Sequence, residues 1–266
     1  DTSNESTETN KPRLTAADLT RLLIQHGANP GAVDHRGVSL LHWAAGAGNL
    51  PVLRVLQDSY HDLAHLVTQR DHATLLHWAS AGARAREFGC GGHVHICEYL
   101  LAQWDVNEKE KPMNTRRRDY VNAVTLDGNS ALHWAAWSGT LETVKLLVRH
   151  RANVHQANRN GCTVAHWAAS GGNVEVCRYL HSICNVDFTE PNHGGNTPLT
   201  HAVAFGRAQV VEWLRNEVLE GNDLKSDQAA QWLAQNFVGW LPSDNRRKKV
   251  LHLFQEFLDY DQGSLL

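Results

Sequence analysis

The chain has no run of about 18 apolar residues, so no helix is expected to insert into a membrane. It lacks a dominant charge as well. A formal net charge of −3 and an isoelectric point near 6.6 provide no basic field of the kind that gathers nucleic acid, and that partner class is excluded. Cysteine is scarce and odd in number, with five in 266 residues, which does not suit a disulfide framework and points to a reducing, intracellular setting, cytoplasmic or nuclear. The first residues, DTSNESTETN, lack the charged and apolar regions of a secretion signal, and residues 1–14 are expected to be a disordered tail. The only methionine is Met113, so a fragment or processed form is expected. A phosphate-binding glycine loop, an HExxH helix and a GxSxG elbow are all missing. We therefore expect no enzyme, no catalytic residue and no cofactor.

What the chain does have is a triplet, HWA, that recurs in LLHWAAGAG (40–48), LLHWASAGA (75–83), SALHWAAWSG (130–139) and VAHWAASGG (164–172). His42, His77, His133, His166 and the equivalent Thr200 serve as markers. Three of the four intervals between successive markers lie near 33, and the long one, His77 to His133, carries insertions expected near 82–90 and 108–121. Each unit opens on a turn with Gly37, Gly128, Gly161 or Gly195; the second unit has His72 there instead. Two residues later stands Ser39, Thr74, Ser130, Thr163 or Thr197, placed to cap a short helix through HWAA. The helix is expected to close at Gly48, Gly92, Gly139, Gly172 or Gly206. A second helix follows in LPVLRVL, VHICEYLL, LETVKLLV, VEVCRYL and AQVVEWL. Neither helix is long enough to stand alone, so stacking must supply the stability.

The Ser/Thr-x-Leu-His-x-Ala-Ala core, the glycine turns and endings such as HGANP (26–30) and HRANV (150–154) resemble ankyrin repeats. The resemblance implies an all-α solenoid of stacked helix-turn-helix units joined by β-turn loops. It spans 15–221, with a partial repeat at 15–33 and about five repeats over 34–221. Residues 222–266, where the period stops and two amphipathic helical patterns follow, are expected to be a C-terminal helical cap. Departures are Ala165 for leucine in the fourth unit and THAV for HWAA in the fifth. Some palmitoyl-transferring enzymes carry similar HWA arrays, but their Asp-His-His-Cys segment is not in this sequence.

Helical geometry places the candidate site. Viewed down the axis from Leu132, Ala136 is rotated by about 40°, Ala135 by about 300° and Trp134 by about 200° at the usual helical pitch. Leucine and the alanines thus face the second helix, and the indole faces the concave side. Stacking aligns Trp43, Trp78, Trp134 and Trp167 in a ladder, with Trp137 beside it and His201 in the same register of the fifth unit. The ladder is read as a binding surface for a protein or extended peptide, with packing between repeats as the competing role. Arg116, Arg117 and Arg118 are expected to form a rim clamp for acidic or phosphorylated peptide, set against the plainer reading of a solvated loop. The marker histidines are assigned an architectural role, bonding to the cap hydroxyl or a neighbouring carbonyl. Cys90, His93, His95 and Cys97 are zinc-type ligands without a metal spacing, since Cys97 aligns with Cys177 as an ordinary repeat position, and no metal is expected. The chain is read as a monomeric interaction scaffold or adaptor. The alternative is the regulatory or substrate-recognition region of a larger enzyme or ubiquitin-ligase-type adaptor.

Overall fold

The computed structural model describes residues 14–59, 66–82, 92–103 and 119–219. The expected tail apart from Leu14, most of both insertions and the expected cap at 222–266 lie outside the described residues. Among the described residues the α-helices follow in chain order as α1 (Ala16–Gln25), α2 (Leu40–Gly46), α3 (Leu50–Gln57), α4 (Leu75–Ala81), α5 (Val94–Gln103), α6 (Ala131–Ser138), α7 (Leu141–Arg149), α8 (Val164–Gly171), α9 (Val174–Arg178), α10 (Pro198–Ala204) and α11 (Ala208–Trp213). There is no strand among the described residues. Isolated antiparallel bridges, Val33 to Ser39, Val67 to Thr74 and Val124 to Ser130, close the feet of three turns.

The helices form two rows. In the inner row α2, α4, α6, α8 and α10 stack in sequence, and each is backed by the outer helix that follows it, α3, α5, α7, α9 or α11. The inner helices are only seven or eight residues long, too short to be stable in isolation, so burial of their shared face holds them. Leu41, Leu76 and Leu132 are at most 1% exposed, and so is Ala165 at the position where the fourth unit departs from leucine. Paired small residues such as Ala135 and Ala136 let neighbouring inner helices approach closely. One such close approach is at Gly171, where a Cβ would lie 2.7 Å from the Trp137 carbonyl oxygen and 2.8 Å from that of Ala136.

Helix starts follow the sequence pattern, with Ser39, Thr74, Ser130, Thr163 and Thr197 each occupying an N-cap in extended conformation. Two boundaries differ from expectation. The inner helix of the second unit is closed by Gly82, at φ +71°, and not by Gly92, whose φ is not left-handed. The outer helices of the last two units widen into π turns, Tyr179–Ile183 and Leu214–Val218, instead of ending as plain α-helix. At the opposite end, α1 starts on a capping box formed by Thr15 and Asp18 and packs against α3 as an outer helix would.

Candidate interaction groove

The repeated histidine sits at the third position of α2, α4, α6 and α8, with Thr200 in its place in α10, and in α4, α6 and α8 it takes the part that Glu or Gln plays in an ordinary capping box. The cap backbone N–H donates to the imidazole Nδ1 from Thr74 to His77 (3.2 Å), Ser130 to His133 (3.1 Å) and Thr163 to His166 (3.2 Å). The cap hydroxyl lies within 2.8–3.1 Å of the same nitrogen in each of these units. Nδ1 is therefore an acceptor, and the proton must be on Nε2. That N–H donates to the backbone carbonyl just before the next unit's cap: His42 to Ala73 (3.1 Å), His77 to Asn129 (2.9 Å) and His166 to Asn196 (2.9 Å). His133 Nε2 faces the equivalent Cys162 carbonyl without completing a hydrogen bond. One imidazole thus caps its own helix and ties its unit to the next.

This geometry admits only the neutral ring. A proton on Nδ1 would oppose the cap N–H, and the site is dry. Burial holds His42, His77 and His133 down to about 4, with carbonyl contacts at Nε2 only partly offsetting it. His201 is also pushed down to about 4, by burial and by the nearby His166.

The indoles then fall in a row between the units. Each leans edge-on to the histidine of the preceding unit: Trp78 on His42 at 5.9 Å, Trp134 on His77 at 5.5 Å and Trp167 on His133 at 5.9 Å between ring centroids. His201 takes the same place on His166 at 5.1 Å. Trp43 meets Trp78 at 5.4 Å, and Trp137 meets Trp167 at 6.4 Å. The rings are not walled in. Trp43 is 42% exposed, Trp78, Trp134, Trp137 and Trp167 are half-buried, and all five line one concave groove of about 690 Å³ with His201. Packing between repeats and exposure on the groove are therefore both present in the same side chains. The indole Nε1 atoms of Trp78 and Trp134 are buried without a hydrogen-bond partner.

Sequence patterns did not indicate the rest of the wall. Phe205, 53% exposed, closes one end, Ser170 faces the groove from α8, and Arg36, Asp71, Asn158 and Asn160 reach it from the turns. The available signal was positional: the turn tips recur with the same period as the indoles. Arg116, Arg117 and Arg118 lie outside the described residues, so their reading as an acid clamp stays an expectation. Of the zinc-type residues, Cys90 is outside the described residues, and Cys97 is fully buried with its thiol pushed up to about 12 by that burial. His93 and His95 each bond a carbonyl of the first unit, Gly46 at 2.9 Å and Gly48 at 3.0 Å. No cluster of three metal-ligating side chains occurs among the described residues.

The family model of ankyrin repeats in three copies matches residues 14–110, 85–158 and 132–228, most of the chain. The chain belongs to the ankyrin-repeat family. A comparison with curated proteins finds no match. Ankyrin repeats generally mediate protein–protein interaction and are typically non-catalytic modules, so the array is an interaction domain by family. No helix of the ankyrin array, among the described residues, is long and apolar enough to cross a membrane.

Proposed function

We propose that the concave groove binds an extended segment of another protein, with the indoles of Trp43, Trp78, Trp134, Trp137 and Trp167 supplying most of the affinity. The observation that carries this reading is the continuity of the groove. Five indoles that packing alone would tolerate buried instead share one open surface with His201 and Phe205. Large rigid aromatics lose little conformational entropy on binding and dominate interfaces, where one contributes ~2 kcal/mol or more. A straight peptide suits a trough built by stacking equivalent helices, because its side chains meet the ladder at regular steps.

The reading is a scaffold or adaptor without catalysis of its own. The repeated histidines behind the groove have Nδ1 turned to the helix cap and, in His42, His77 and His166, Nε2 bonded to a carbonyl of the next unit, and burial lowers their pKa, which makes them poor proton shuttles. The test is a crosslinking pull-down comparing the wild-type chain with Trp134→Ala plus Trp167→Ala, both checked for folding by circular dichroism and urea unfolding. Glu142→Lys on the exposed outer surface serves as control. Partners lost with the tryptophans and retained with the control support the groove. A double variant that folds and keeps every partner refutes it.

A further inference from the structure

The groove is mostly apolar, and one charge in its wall has no counter-ion among the described residues. Asp71 stands half-buried on the turn before α4. Its carboxylate accepts a hydrogen bond from the Thr68 hydroxyl and makes no ion pair among the described residues. It is near enough for its field to reach both His42 and His77. The other charge in the wall, Arg36, is already neutralised. Its guanidinium donates to Asp34 from Nε at 3.4 Å and Nη2 at 3.2 Å. The same group lies 5.7 Å from the Trp43 ring centroid. His42, His77 and His201 bring no positive charge, since each has its ring held neutral. What remains in the wall is one negative charge beside electron-rich indole faces.

Both features act in the same direction. A carboxylate whose surroundings are partly dried by indoles attracts a cation more strongly than it does in bulk water. The indole quadrupole also favours a cation over its face, and Arg36 on Trp43 shows a guanidinium resting on this ladder within the molecule itself. We propose that the groove, on the peptide-binding reading above, selects a segment that seats an arginine or lysine side chain against Asp71 and the indoles of Trp78 and Trp134. Apolar neighbours of that residue lie along the rest of the ladder, and an Asp or Glu at the same place is rejected by like charge.

The probe is a random dodecapeptide library displayed on phage, selected on the full chain. The synthetic form of the best binder is then titrated against wild type, Asp71→Asn and the Trp134→Ala, Trp167→Ala double variant, each verified as folded. Asp71→Asn preserves shape and can still accept from Thr68, so the fold is retained. The expected result is a recurrent Arg or Lys in the selected peptides, with affinity falling about tenfold in Asp71→Asn and by a similar factor when the basic residue becomes norleucine. Combining the two changes should add little further loss, and the wild-type affinity should weaken with added salt. Peptides that depend on Trp134 and Trp167 but carry no recurrent basic residue and ignore Asp71→Asn overturn the cation subsite and leave the groove reading intact. Selected peptides indifferent to the tryptophans, or a selection yielding none, overturn both.

Discussion

A side chain in a repeat protein is multiplied by the number of units, so small local choices have large sums. His77 is the fullest example. It is completely buried, accepts the cap N–H of Thr74 and donates to Asn129 across the unit boundary. His77→Ala removes both bonds and opens a cavity, and should cost about 3 kcal/mol of stability, measured by urea unfolding at pH 7.5. The same neutral rings make the fold acid-sensitive. Their folded pKa near 4 lies below the ordinary 6.5, so between those values the unfolded chain binds more protons. The stability is whole above about pH 6.5 and declines as pH falls toward 4. Each such histidine contributes up to about 1.4 kcal/mol per pH unit inside that window. Urea midpoints measured at pH 7.5, 6 and 5 should fall in order, and a flat series contradicts the assignment. His72 presents the opposite case. It occupies the turn position held elsewhere by glycine, at φ +56°. His72→Gly relieves left-handed strain and should raise stability by about 0.5–1 kcal/mol after the unfolded-state entropy of glycine is counted, visible as a higher thermal midpoint.

At the scale of the element, the short inner helices are defined by their ends and by one crowded face. Capping hydroxyls, turn glycines and the Leu/Ala stripe were legible in the sequence, because each rests on local geometry with a period of 3.6 or a fixed offset from a turn. The sequence offered the cap hydroxyl or a neighbouring carbonyl as the histidine's partner, but not that one ring takes both, because the carbonyl belongs to the next unit, 30 to 52 residues away. Nor was the close of α4 at Gly82 legible, since two glycines, Gly82 and Gly92, satisfy the same local rule and only the path of the chain separates them. Helix contact also decides what size is tolerated. Gly171→Ala places a methyl against the carbonyls of Ala136 and Trp137 and should destabilise by about 1–3 kcal/mol in urea unfolding, despite the better helix propensity of alanine.

Across the whole molecule, equivalent positions are unequal because the stack has an open end. Leu40 is 42% exposed at the start of α2, whereas Leu75, Ala131 and Val164, in the same register of α4, α6 and α8, are at most 1% exposed. Each of the latter is covered by the inner helix of the unit before it, and α2 follows none among the described residues. Leu75→Gln should therefore cost more than about 3 kcal/mol, and Leu40→Gln should stay within about 1 kcal/mol, a contrast read by parallel denaturant titrations. The sequence by itself determined the repeat, its helices, its caps and the side of the inner helix on which each indole emerges, since all of these follow from spacing along a chain of fixed helical pitch. Tertiary structure alone decided that the indoles lean on the preceding histidines while still lining an open groove, and that Asp71 shares its wall. Those facts depend on how far one unit is shifted and turned against the next, a distance that packing of side chains from different repeats sets and that no single repeat encodes.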